Sequence, residues 1–213
     1  MLTLIIREFE DRLIFFILAI ATITTILLAS TIASISEPNQ DFQLISTLFD
    51  FLPSLLIYTT PLIFSALGWI QNYSDRKNKI DTFLVTLAVT RKKILLSKMI
   101  IGFSLIILLY TSILAGMLII LKMFYLPRFY LWPLIANQFI LLATLSAACY
   151  AAGFRIGIKE PQRTDILLII FSSAILISTV AIKGFAWSGH IFLAAFAIAA
   201  LASTWIDFQN SSL

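Results

Sequence analysis

Long apolar runs alternate along the chain with short polar segments. Six runs of bilayer-spanning length cover about residues 13–36, 51–73, 99–121, 131–154, 166–182 and 187–206. A transmembrane helix needs about 20 consecutive, predominantly apolar residues. The pattern therefore predicts an all-α, polytopic membrane protein with six transmembrane helices, the second of them interrupted by Pro53 and Pro61.

The N-terminal residues 1–12 have a different pattern from the six runs. Leu2, Ile5, Ile6 and Phe9 fall at helical spacing on one side, and charged residues occupy the rest. A short amphipathic helix of this kind lies in the membrane interface. No linker or internal repeat divides the chain, so residues 1–213 are predicted to form a single transmembrane domain that begins with this interfacial helix.

The composition agrees with that prediction. Hydrophobic residues make up 60% of the chain and charged residues only 12%, whereas soluble domains are about 25% charged. The mean hydropathy is +0.99. Six spans leave too few residues for an appended enzymatic domain, so the function is expected in the membrane or at its surface.

The distribution of Lys and Arg predicts the orientation. With the N-terminus inside, twelve of the fifteen cations lie in the inner segments 1–12, 74–98 and 155–165, and three lie outside. Cytoplasmic loops carry such an excess of cations. Both termini are therefore predicted to be cytoplasmic, in a bacterial-type inner membrane.

Groups that could carry out chemistry are scarce. The predicted spans contain almost no ionisable residues, which disfavours a secondary carrier or proton pump. His190 is the only histidine, and metal sites usually need several ligands. None of the seven glycines is followed by lysine, as a phosphate-binding P-loop requires. We expect no catalytic residue, no metal, no cofactor in this chain and no nucleic-acid partner.

The segment 75–98 is the most charged part of the chain and holds seven of its fifteen Lys and Arg residues. Within it, Ile80, Phe83, Leu84 and Leu87 follow the spacing of an amphipathic helix. This helix is too short and too charged to span, so it is predicted to lie along the inner surface. Thr90 is a candidate cap for the next helix, and the following cations would anchor it at anionic headgroups.

The stretch LVTLAVTRKKILLSK at 84–98 resembles the signature that follows the second span in type-2 ABC exporter permeases. The matching positions are Leu84, Val89, Thr90, Arg91, Ile94, Leu95, Leu96 and Lys98. The six-span layout and the interfacial helix are also similar. Two positions depart from the family pattern, with Lys79 in place of a glycine and Ala88 in place of a proline.

The resemblance implies a membrane subunit that pairs with a second permease subunit, identical or not, and binds two copies of an ABC ATPase. ATP and Mg would then be held by that partner. Residues 75–93 would form the coupling segment, and the residues expected to contact the ATPase are Asp81, Phe83, Leu84, Thr86, Leu87 and Arg91. The uncharged spans favour an amphipathic or lipid-like substrate.

Two alternatives remain open. The chain length and the run KKILLSK also fit the haem-exporter membrane subunit of cytochrome c maturation. A non-transporting membrane scaffold, whose basic loop recruits a soluble partner, is the alternative from another functional class. Small residues at four-residue spacing in the first and fourth spans, followed in the fourth by Gly153 and Gly157, predict close helix contacts. These contacts serve either a subunit interface or a surface that slides during alternating access, or else ordinary packing within the chain.

Overall fold

The computed structural model describes residues 41–77, 90–123, 128–158, 165–183 and 187–210, together with the single positions 6, 10, 13, 17 and 21. Within the five ranges the chain forms five α-helices and no strand. They are α1 (Asp41–Lys77), α2 (Arg91–Met123), α3 (Arg128–Ile156), α4 (Asp165–Lys183) and α5 (Trp187–Asn210). The prediction of a helical protein is confirmed for this part of the chain.

Three of the described helices are long and apolar enough to cross a membrane. The candidate spans are Lys92–Gly116, Ala136–Ile156 and Trp187–Phe208, and α4 contributes a shorter apolar stretch, Leu167–Val180. They coincide with the third, fourth, sixth and fifth predicted spans. These helices suit a membrane protein, while six spans and cytoplasmic termini stay predictions.

Most of the N-terminal region lies outside the described residues, including most of the predicted interfacial helix and first span. The five single positions there are helical and exposed: Ile6, Glu10, Leu13, Ile17 and Ala21. Their spacing of three or four residues is that of one helix face.

α1 differs from the second predicted span in length and continuity. It begins at Asp41 rather than near Phe51, and it continues through Pro53 and Pro61 without a break. Polar residues and acids at 41–50 resemble a loop when only hydropathy is considered, yet they form the first turns of this helix. Membrane helices tolerate proline because neighbouring helices and Ser or Thr side chains satisfy the freed backbone groups.

α3 is the central helix, and it packs against each of the other four. Of its candidate span, 67% is buried, compared with 39% for α2 and 28% for α5. Thr60 of α1 lies beside Ser146 of α3, and Asn72 lies beside Phe154, so α1 and α3 run in the same direction. Because Lys98 and Tyr110 of α2 approach Tyr150 and Ser146 respectively, α2 runs in the opposite direction. Successive spans of a membrane protein alternate in this way.

Glycines bring α1 and α3 together backbone to backbone. A Cβ added at Gly153 would overlap the backbone of Ser65, and one added at Gly157 would lie 2.7 Å from the carbonyl oxygen of Trp69. Both glycines belong to the small-residue series of the fourth predicted span. At these positions the series therefore serves packing within the chain, which was one of its two predicted roles.

The outer faces of the described helices are apolar. Leu167 and Phe171 of α4 are 67% and 70% exposed, and Ile198 of α5 is 68% exposed. In a soluble protein such faces would have to be covered, whereas in a bilayer they contact lipid tails. This distribution agrees with a membrane location.

Candidate functional site

Most of the predicted ATPase-contact residues lie outside the described residues. They are Asp81, Phe83, Leu84, Thr86 and Leu87. Arg91 is the first residue of α2, where the carbonyl oxygen of Thr90 accepts hydrogen bonds from the backbone N–H groups of Lys93 (2.9 Å) and Ile94 (3.3 Å). The amphipathic segment is thus followed directly by a long helix, and Thr90 occupies the position before its first turn.

The structure corrects the sequence analysis at Lys98. We assigned this residue to the charged inner segment, but it lies within α2, seven residues after the helix begins, and its side chain is 0% exposed. A buried ammonium group is costly unless it is hydrogen-bonded or paired. Ionisable residues inside transmembrane helices usually mark functional sites, so Lys98 defines the candidate site.

Buried polar residues of three helices lie at this level of the bundle and form what we call the polar node: Gln71 and Asn72 of α1, Lys98 of α2 and Tyr150 of α3. All four are buried. The Tyr150 hydroxyl donates to Gln71 Oε1 at 2.7 Å and also lies 3.2 Å from the carbonyl oxygen of Lys98. Asn72 Nδ2 donates to the carbonyl oxygen of Phe154 at 2.7 Å. The node therefore connects α1, α2 and α3 at one level of the bundle.

Further buried polar atoms lie next to the node on the same helix. Within the described part of the chain, Ser65 Oγ, Trp69 Nε1 and Asn72 Oδ1 have no hydrogen-bond partner. Their positions are four and three residues apart, so they share one face of α1. Unsatisfied buried polar groups are uncommon in proteins and call for an explanation. Here they extend the polar region along the contact between α1 and α3.

A second polar cluster joins the same three helices farther along the bundle. The Tyr110 hydroxyl donates to Thr60 Oγ1 at 2.8 Å and lies 2.6 Å from Ser146 Oγ. Thr60 Oγ1 in turn donates to the carbonyl oxygen of Leu56 at 2.6 Å. Tyr110 is twelve residues after Lys98 on α2, which corresponds to about 18 Å along a helix axis. The two clusters thus contact α2 at two well-separated levels.

The contacts of His190 indicate a structural role. Its Nε2 lies 3.1 Å from Asn137 Oδ1, and its ring centroid is 5.7 Å from that of Trp187. In the described ranges no group of three or more His, Cys, Asp or Glu side chains could hold a metal ion. His190 therefore connects α5 to α3 through Asn137.

The arrangement suggests a mechanical role for the node. Its members are a lysine, two amides and a phenol, all of them buried. What it can do is hold the ends of α1 and α2 against α3.

Comparison with models of known protein families, with curated proteins and with solved structures found no match to this chain. The resemblance of residues 84–98 to the exporter permeases therefore stays a prediction.

Hydropathy could not reveal the node, because Lys98 follows closely on the exposed cations Lys92 and Lys93 and was therefore grouped with them. The helical spacing contained a signal, however. Ile94, Leu95 and Lys98 lie on one side of α2 and are buried, whereas Lys92, Lys93 and Leu96 are exposed. Once α2 is taken to begin at Arg91, Lys98 falls on its buried side. The contacts of Tyr150 with Gln71 and with the Lys98 carbonyl oxygen join residues far apart in sequence, so only the structure could show them.

Proposed function

We propose that this chain is the transmembrane subunit of an ATP-driven ABC exporter in a bacterial-type inner membrane. It works as a dimer with separate ATPase subunits and moves an amphipathic or lipid-like substrate. Residues 75–93 receive the movement of the ATPase, with Asp81, Phe83, Leu84, Thr86, Leu87 and Arg91 as the contact residues. ATP and Mg are bound by the partner.

One observation carries the proposal, namely the attachment of the helices on both sides of residues 78–90. On the α1 side, Gln71 and Asn72 are buried just before the helix ends at Lys77. On the α2 side, Ile94 and Leu95 are 1% exposed, and Lys98 is 0% exposed. A segment connected to two well-packed helices transmits a displacement to them, whereas a segment between loosely packed helices would only move itself.

The described spans support the substrate class. Polar side chains within them are chiefly hydroxyls and amides. Most of the hydroxyls donate to the backbone of their own helix, as Ser104 and Thr144 do, and others bond between helices, as in the Tyr110 cluster. Lys98 is a buried ionisable residue, but it lies near the beginning of α2 rather than at the centre of the span Lys92–Gly116. Transport of an amphipathic molecule driven from outside this chain needs no proton-carrying residue at the midplane.

The test replaces the apolar side of the predicted coupling helix. We expect the double variant Phe83→Asp and Leu84→Asp to insert into the membrane normally but to lose stimulation of the co-purified ATPase. The control is Thr82→Asp, which adds the same type of charge on the opposite side of the predicted helix and should keep the stimulation. The measurement compares the rate of ATP hydrolysis by the purified complex in liposomes with the rate of the ATPase subunits alone.

Two results would contradict the proposal at different points. Stimulation that survives the double variant would show that residues 83 and 84 are not the contact. If no ATPase co-purifies with the wild-type chain and no ATP hydrolysis depends on it, the exporter assignment is wrong, and the scaffold alternative is favoured.

A further inference from the structure

The position of Tyr150 has a consequence for how a movement of residues 78–90 would reach the rest of the bundle. Its side chain is 0% exposed and lies between α1 and α2. The hydroxyl contacts both helices, through Gln71 Oε1 at 2.7 Å and the Lys98 carbonyl oxygen at 3.2 Å. Tyr150 is therefore in contact with both helices that flank the segment.

The absence of a side chain at Gly102 of α2 leaves room for the ring of Tyr150. A Cβ added at Gly102 would overlap the ring atoms and hydroxyl of Tyr150. The ring also makes an edge contact with Phe103 and a tilted contact with Phe154, both at centroid distances of 5.6 Å. Phe103 belongs to α2 and Phe154 to α3, so the ring is held between these two helices independently of its hydroxyl.

The hydroxyl lies close to both ends of the segment. Gln71 is six residues before the end of α1, and Lys98 is seven residues after the start of α2. At a rise of 1.5 Å per residue these separations correspond to about 9 and 10 Å. α1 packs chiefly against α3, and its contact with α2 is small. A bond from α3 to both helices therefore supplies a connection that α1 and α2 hardly make directly.

We infer that Tyr150 is a positioning residue whose hydroxyl makes α1, α2 and α3 respond together when residues 78–90 are displaced. This inference rests on the proposed function, because it assumes that an ATPase displaces the segment. Without the hydroxyl, the ring contact with Phe103 and the Tyr110 cluster would still connect α2 to α3, but less of the displacement would reach α3.

The experiment compares two tyrosines with the same chemistry. Tyr150→Phe removes the hydroxyl of the node and leaves the ring in contact with Phe103 and Phe154. Tyr110→Phe removes an equivalent interhelical hydroxyl about 18 Å farther along α2 and serves as the control. We expect stimulation of the co-purified ATPase to fall by about fivefold or more in Tyr150→Phe, a typical size for coupling between two sites. In Tyr110→Phe it should stay close to the wild-type value.

A distance measurement separates this role from ordinary packing. Spin labels at Lys93→Cys and Arg155→Cys, both exposed positions, report on α2 and α3 when Cys149 is replaced by alanine. With Tyr150 present, addition of ATP and vanadate should leave this distance unchanged, because the two helices move together. In Tyr150→Phe the same addition should change it. A purely structural tyrosine would alter the thermal midpoint without making the distance depend on nucleotide.

The outcomes distinguish the two levels of the argument. If the wild-type complex is stimulated and Tyr150→Phe is stimulated equally, this inference is wrong and the proposed function stands. If the wild-type chain has no ATPase partner, the proposed function itself fails. Should Tyr150→Phe not fold, Gln71→Met removes the hydroxyl's acceptor from the α1 side. It should cause the same loss of stimulation, and unchanged stimulation would overturn the inference.

Discussion

Substitution of Gly153 and Gly157 by alanine provides the sharpest test of how α1 and α3 are packed, because the two possibilities change the free energy of unfolding in opposite directions. Glycine is about 0.8–1.0 kcal/mol less favourable than alanine in a helix interior. Gly153 lies within α3 and Gly157 directly follows its last residue, so with free space Gly153→Ala would stabilise the helix. We expect the opposite, since a Cβ at either position meets the backbone of α1.

The magnitude follows from the distances at Gly157. The added Cβ would lie 2.7 Å from the Trp69 carbonyl oxygen and 3.0 Å from Asn72 Cβ. Ordinary contact begins at 3.4 Å, so the two helices must separate locally by 0.7 Å, which is the difference between 3.4 and 2.7 Å. Overpacking of this kind costs about 1–3 kcal/mol. At Gly153 the overlap is with the Ser65 backbone and is more severe, so Gly153→Ala should be the more destabilising change.

The assay is reversible unfolding in mixed micelles by titration with dodecyl sulfate, followed by far-UV circular dichroism. Ala199→Val is the control, because Ala199 lies on the exposed side of α5 and such substitutions usually change stability by less than about 0.5 kcal/mol. If both glycine variants proved as stable as the wild type or more so, the close contact between α1 and α3 would be refuted. A larger effect at Gly157 than at Gly153 would contradict the order of overlap.

Two further predictions follow from the same packing. Tyr110→Phe should lower the unfolding free energy by about 0.6 kcal/mol, the average for interhelical hydrogen bonds in membranes, and by no more than about 1.7 kcal/mol. Tyr110→Ala should lower it by about 3–5 kcal/mol. A Tyr110→Phe variant as stable as the wild type in the same titration would show that the hydroxyl bonds to Thr60 and Ser146 contribute nothing. Cys149 is 0% exposed, so a membrane-permeant maleimide should modify it only after unfolding in dodecyl sulfate. As a control, the exposed Lys93 is replaced by cysteine, which should react in the native protein. Rapid labelling of Cys149 in the native protein without that substitution would contradict its burial.

The bounds of some helices could be predicted from the sequence more closely than others, and the reason is the apolar environment of the bilayer core. α2, α4 and α5 lie within a few residues of predicted apolar runs at one or both ends, because a spanning helix in hydrocarbon must be apolar on nearly all sides. The start of α1 was missed because residues 41–50 contain two acids and extend the helix beyond its apolar part. Hydropathy detects the part of a helix in the bilayer core and is insensitive to the polar turns that extend it.

The candidate site was harder to predict for a related reason. In a soluble helix the buried side is the apolar side, but in a bilayer both sides are apolar. Leu96 is 39% exposed and Lys98 two residues later is 0% exposed, which reverses the expectation from hydrophobicity. Which side of α2 faces protein depends on α1 and α3, and Gly102 can be paired with Tyr150 only when their packing is known. The coupling residues 81–87 stay predictions from pattern and resemblance.

The electrostatics at the start of α2 connect the node with the proposed partner. Its first three residues, Arg91, Lys92 and Lys93, are all cations, and the first turn has no acid. The N-terminus of a helix carries a partial positive charge, so each cation there is unfavourable by about 0.3–1 kcal/mol. Selection for helix stability alone would favour Asp or Glu at these positions.

Lys98 adds a buried ionisable residue near the same end. A fold can retain such a departure from local preference where function requires it. The exposed Lys92 and Lys93 can be compensated by anions outside this chain, either lipid headgroups or acidic groups on a protein that docks there. The unfavourable charges are therefore concentrated where α2 meets residues 78–90, the segment through which we propose that energy enters the membrane.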